Sequence, residues 1–151
     1  MKRTAFLMIG ATVAFATMAS AGTIAPDDVA FDDYGSVAMS LTGVAGDAAN
    51  GRKVFANRKL GNCLACHQNS EMTDQSFHGE VGPSLDGAGE RWTAEELRGI
   101  VANSKNTFDG TIMPGFYKVS GFTRNLEKFE GKSILTAQEV EDVLAYLLTL
   151  Q

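Results

Sequence analysis

The chain has only two cysteines, and they stand three residues apart with a histidine directly after the second: Cys63-Leu64-Ala65-Cys66-His67. Thiols at this spacing lie about one helical turn apart, so both can reach groups on one flat molecule while His67 sits beneath its centre. A zinc site needs four ligands, and the two cysteines with His67 and His78 do not pair into a finger spacing. A thioredoxin-like redox pair needs a βαβ setting, which is absent here. A disulfide between Cys63 and Cys66 would leave His67 without a role. The reading that uses all three residues is haem c, attached by thioethers through Cys63 and Cys66, with His67 as an axial iron ligand. It also uses every thiol, so none remains for nucleophilic catalysis or a structural disulfide.

Thioether attachment of haem goes with export, and the N-terminus carries an export pattern. Met1-Lys2-Arg3 is a short basic start, Ala5 to Ala16 is apolar, and Ala19-Ser20-Ala21 is a small-x-small cleavage site. The apolar run is short for a span of roughly 20 residues, so residues 1–21 read as a cleaved signal peptide, with an uncleaved anchor as the alternative. The expected location is the periplasm, without membrane insertion. Cleavage removes Lys2 and Arg3, leaving 11 basic residues of 13 against 18 acidic ones, a balance of about −7. An acidic chain does not hold nucleic acid by counterion release, and its charge suits a partner with a basic patch.

The mature chain divides into an arm, 22–46, and a domain, 47–151. The arm has no clear period and reads as extended, with a short helical turn at most; it wraps the domain, wraps a partner, or is mobile. A first helix starts at the N-cap Asp47 and runs to about Lys59, ending at Gly61. Gly51 and Phe55 share a face of it and are placed to cross the last helix near Val143 and Tyr146. A second helix opens on the capping box Thr93–Glu96, with Trp92 and Leu97 set as a staple, and ends near Asn103 or Ser104. The last helix opens on Thr136–Glu139 and buries Val140, Val143, Leu144, Leu147 and Leu148. Between these lie a polar, turn-rich stretch from Gln68 to Val81, a loop through Gly82, Gly87 and Gly89, and a Gly-punctuated segment from Thr107 to Ser133. No run alternates like a strand. The expected fold is all-α, with long loops around one haem.

Two loops carry the remaining site residues. Gly82-Pro83-Ser84-Leu85 is a tight turn. A ligating histidine needs an acceptor for its other ring N–H; the Pro83 carbonyl suits that task and Leu85 would cover the ring, although the segment also reads as a plain turn. Met113, in Ile112-Met113-Pro114-Gly115, is the candidate sixth ligand; its thioether would favour ferrous iron and close the site to small ligands. His78 and an exchangeable position are the alternatives. Met39 lies in the arm, and Met72 is only five residues past His67. Arg91 and Trp92 read equally as propionate ligands or as a solvated charge and a staple.

These residues resemble the class I c-type cytochromes: an N-terminal helix, the Cys-x-x-Cys-His motif, a Gly-Pro-x-Leu loop, a distal methionine and a C-terminal helix, from about Asp47 to Leu150. A narrower resemblance is to the SoxX subunits of the SoxAX cytochromes of thiosulfate oxidation. It is carried by Gly61 to His67, by Gly79-Glu80-Val81-Gly82-Pro83-Ser84-Leu85-Asp86-Gly87, and by the run from Thr111 to Leu150. The resemblance implies a cytochrome c fold with haem on Cys63 and Cys66 and ligands His67 and Met113. It implies a SoxA-like haem subunit as partner, which bears the catalytic cysteine of a heteromeric L-cysteine S-thiosulfotransferase. The carrier SoxYZ is then an indirect partner, and a further cytochrome accepts the electrons. A free-standing periplasmic carrier, or a haem sensor or peroxidase with a labile Met113, are the competing functions.

Overall fold

The structure, a computed structural model, describes residues 22–151; the expected signal peptide lies outside the described residues. These residues form four α-helices joined by long loops and single 3-10 turns, with no strand among them. The helices are α1 (Ala48–Ala56), α2 (Ala88–Arg91), α3 (Ala94–Asn103) and α4 (Ala137–Leu147).

The capping chemistry read from the sequence is present. Asp47 accepts from the backbone N–H groups of Ala49 and Asn50 at the start of α1. Thr93 with Glu96, and Thr136 with Glu139, form reciprocal capping boxes on α3 and α4. Val140, Val143, Leu144 and Leu147 of α4 are buried, and Leu148 is partly so.

α1 crosses α4 at very short range. A Cβ on Gly51 would lie 1.9 Å from the Asp142 carbonyl oxygen and 3.0 Å from Tyr146 Cβ, so only glycine fits. One turn on, the rings of Phe55 and Tyr146 meet edge to face at 5.4 Å between centroids. The crossing point is therefore Asp142 and Tyr146, one residue from the expected Val143.

Two helix boundaries differ from the sequence reading. α1 stops at Ala56 instead of continuing to Lys59. Asn57 turns extended there, its side-chain oxygen accepts from the Lys59 N–H at 2.9 Å, and its carbonyl accepts from Leu60 and Asn62. A local Asn turn of this kind competes directly with helix. The one-turn helix α2 begins within the Gly87–Gly89 stretch, expected as loop. Tertiary contact makes it: the Gly89 N–H donates to the Leu150 carbonyl at 2.8 Å, and a side chain on Gly89 would strike the Leu148 backbone.

The arm wraps the domain. The Ile24 N–H donates to the Leu41 carbonyl, the Val37 N–H to the Glu95 carbonyl, and the Tyr117 hydroxyl to the Ile24 carbonyl. Val37 and Leu41 are fully buried with the core side chains. A 3-10 turn at Pro26–Asp28 is its only helical element. Two ionic groups are buried beneath it: Arg98 of α3 bonds Glu141 of α4, Arg98 donates to the Val37 carbonyl, and Glu141 accepts from the Leu41 N–H.

Candidate haem site

The motif and the loop after it are laced together by backbone bonds. The Gly79 N–H donates to the Leu64 carbonyl at 2.8 Å, Gly82 to Cys66 at 2.7 Å and Leu85 to Gln68 at 2.9 Å. Cys63–Ala65 is a single 3-10 turn entered from Asn62 in the left-handed conformation, and the His67 N–H closes on the Cys63 carbonyl at 2.9 Å. Both glycines of the loop are forced by contact. A Cβ at Gly79 would lie 2.2 Å from the Ala65 carbonyl, and one at Gly82 would lie 2.3 Å from His67 Cε1. Gly82 thus lets the His67 ring lie flat against the loop.

His67 Nδ1 lies 2.7 Å from the Pro83 carbonyl. A carbonyl only accepts, so Nδ1 carries the proton and the lone pair of the neutral ring is on Nε2. Leu85 and Cys63 pack partly buried against the core. Arg91 is exposed and donates to the carbonyls of Asp86 and Ser84, the latter at 3.0 Å, bracing the Pro83 turn from behind. Trp92 packs edge to face on Phe108, with 6.0 Å between centroids.

The polar loop after His67 is more ordered than its composition suggests. Asn69 is wholly buried; its side-chain amide donates to the Tyr146 hydroxyl at 2.9 Å and its carbonyl oxygen accepts from the Glu71 N–H. Burial pushes the Tyr146 phenol up, so it stays protonated. His78 is committed within this loop: its Nδ1 accepts from the Asn69 N–H at 3.3 Å and its Nε2 faces the Met72 carbonyl at 3.2 Å. Met72 is itself fully buried, and Met39 is exposed on the arm.

Met113 stands on a different wall, in a loop docked on the C-terminal end of α3. The Phe116 N–H donates to the Val101 carbonyl and the Tyr117 N–H to the Ala102 carbonyl. Met113 is half-buried and packs against the core. The structure therefore gathers Cys63, Cys66, His67, Pro83 and Leu85 into one hydrogen-bonded unit and carries Met113 separately.

These residues fit haem c. Cys63 and Cys66 form no disulfide, and the Pro83 contact leaves His67 Nε2 as a donor to iron. Phe77 and Val81, between His67 and Pro83 in sequence, and Ile112, next to Met113, are exposed to solvent. Among the described residues, no cluster of three or more His, Cys, Asp or Glu side chains is placed to hold a metal ion directly.

Comparison with known proteins agrees with this geometry. The cytochrome c family model matches residues 48–151. The structure is similar to the crystal structure of SoxXA from P. pantotrophus, with 48% identity and a TM-score of 0.80, over 85% of this chain and 98% of that one. It also matches the c-type cytochrome SorU from Sinorhizobium meliloti at 29% identity and a TM-score of 0.44, over 68% of this chain and 88% of that one. No curated protein sequence matches significantly. A family model that spans most of the chain and a relative identical at nearly half its positions leave one assignment: the chain belongs to the cytochrome c family, is SoxX-like within it, and carries covalently bound haem c.

Proposed function

We propose that this chain is the monohaem electron-transfer subunit of a SoxXA-type complex that oxidatively conjugates thiosulfate to a carrier-protein cysteine. The observation that carries the reading is the 48% identity with the SoxXA structure across 85% of the chain. The cysteine count fits it. Both thiols are used by haem attachment, so the cysteine that performs the conjugation belongs to a SoxA-like partner, with a SoxYZ-like carrier and a downstream cytochrome on either side of the reaction.

In this reading Cys63 and Cys66 would hold the haem by thioethers, and His67 and Met113 would ligate its iron. Bound haem supplies a one-electron ferric–ferrous couple. The protein's part is to tune and protect it. Pro83 fixes the His67 tautomer and ring plane, and Leu85 covers that face. The Met113 thioether stabilises the ferrous state and excludes small ligands, which favours electron transfer over chemistry at iron. Residues 1–21 direct export to the periplasm, 22–46 form the arm and 47–151 the cytochrome domain. Among the described residues no helix is long and apolar enough to cross a membrane.

The test is a mild affinity purification of the chain from thiosulfate-grown cells, followed by haem staining and an assay of thiosulfate-dependent conjugation to a carrier thiol. Copurification of a second haem-bearing chain with that activity is expected. A lone, redox-competent monomer without activity would make the protein a free-standing carrier.

A further inference from the structure

The Met113 backbone is tethered by two side chains that no sequence motif singled out. Ser104, wholly buried just beyond the end of α3, donates its hydroxyl to the Met113 carbonyl at 2.9 Å. The Lys105 ammonium donates to the same carbonyl at 2.6 Å and to the Thr111 carbonyl, also at 2.6 Å. An ammonium has three donors and can bridge two acceptors, and bonds from a charged donor are the stronger kind. The Met113 N–H in turn donates to Thr111 Oγ1 at 3.2 Å. Ile112, between the two carbonyls that Lys105 joins, is 77% exposed and gives this stretch little apolar anchorage. Polar tethering to the end of α3 therefore joins the Phe116 and Tyr117 backbone bonds and the core contact of Met113 in setting where Met113 stands.

We propose that Lys105, with Ser104, is a positioning clamp that holds the Met113 thioether in place as sixth ligand. This rests on the reading of Met113 as that ligand. A thioether is a neutral, weakly held ligand, so its occupancy follows the equilibrium between a closed and an open loop. An added ligand binds only the open fraction, and its apparent affinity scales with that fraction. Lys105 and Ser104 lower the open fraction, so their loss exposes the iron without removing the methionine.

The experiment compares purified holoprotein variants by titrating the ferric state with imidazole while following the Fe–S(Met) charge-transfer band. Lys105→Leu, which keeps the aliphatic stem, is expected to bind imidazole roughly tenfold more tightly than wild type while retaining the band before titration. Lys105→Arg restores tight closure, because guanidinium also donates to two carbonyls. Ser104→Ala shifts affinity in the same direction; because Lys105 is exposed, its variants decide the matter even if the buried Ser104 variant fails to fold. Imidazole affinity in Lys105→Leu equal to wild type overturns the clamp. A wild-type holoprotein that lacks the band, or a Met113→Ala variant that keeps it, overturns instead the ligand reading on which the clamp rests.

Discussion

Arg98 and Glu141 meet through two hydrogen bonds, Nε to Oε1 at 2.9 Å and Nη2 to Oε2 at 3.2 Å, with their side chains only 10% and 5% exposed. Each also holds the arm, Arg98 through the Val37 carbonyl and Glu141 through the Leu41 N–H. The pair thus joins α3, α4 and the arm at one buried point.

Breaking this pair from one side leaves a charge buried without its partner. Arg98→Met is expected to destabilise the holoprotein by about 3–5 kcal/mol and to open the arm between Val37 and Leu41 to protease. Denaturant unfolding with limited proteolysis checks both. A loss under about 1 kcal/mol would mean that the pair behaves as a surface ion pair.

The proposed iron ligands give a spectroscopic prediction. Met113→Ala is expected to abolish the Fe–S(Met) charge-transfer band and lower the reduction potential. Replacing Pro83 is expected to disturb the orientation of His67 and shift the potential less, with haem attachment intact. Visible spectra and redox titration of both variants check this.

The crossing of α1 and α4 has no room for a methyl group. Gly51→Ala places a Cβ against the Asp142 carbonyl, and the helices must separate. The expected cost reaches the upper end of the about 1–3 kcal/mol typical of overpacking, read as a lower unfolding midpoint. Ala→Gly at the neighbouring exposed position Ala49 costs only about 1 kcal/mol and serves as control.

Asp142 gives the acid limb of stability. Burial alone would raise its pKa, but the Asp47 N–H and the Asn50 and Gln138 side chains outweigh it, and the carboxyl lies below its ordinary value of 3.8. A depressed folded-state pKa contributes stability above the unfolded value and loses it as pH falls through the folded one. Stability is therefore expected to decline below about pH 4, and Asp142→Asn to flatten that decline. Urea midpoints from pH 6 to pH 2.5 measure it.

Much of the fold is legible in local sequence. Thr93 with Glu96 and Thr136 with Glu139 announce α3 and α4, and Gly51 with Phe55 marks the contact face of α1, because caps and helix faces depend on residues three or four apart. The attachment motif and the Pro83 turn are equally local. Glu141 and Asp142 are not: they lie on what reads as the polar side of α4, and their partners, Leu41 and Asp47, are far away in sequence. The arm's path follows from those pairings, so the sequence left it open. α2 escaped for the same reason, since the backbone of Leu148 and Leu150 makes it. At the site, Ser104 and Lys105 read as an ordinary helix end until the fold brings the Met113 carbonyl to them.

In the proposed reaction this haem takes up, one at a time, the electrons released when thiosulfate is joined to a carrier cysteine. The direct measurement is anaerobic mixing of the ferric protein, in complex with its SoxA-like partner, with thiosulfate and a carrier thiol, while following the haem spectrum of this chain. Reduction of this haem is expected only when thiosulfate, carrier and partner are all present, and is expected to be lost when Met113→Ala lowers the potential. Conjugation at an unchanged rate while this haem stays ferric would contradict it.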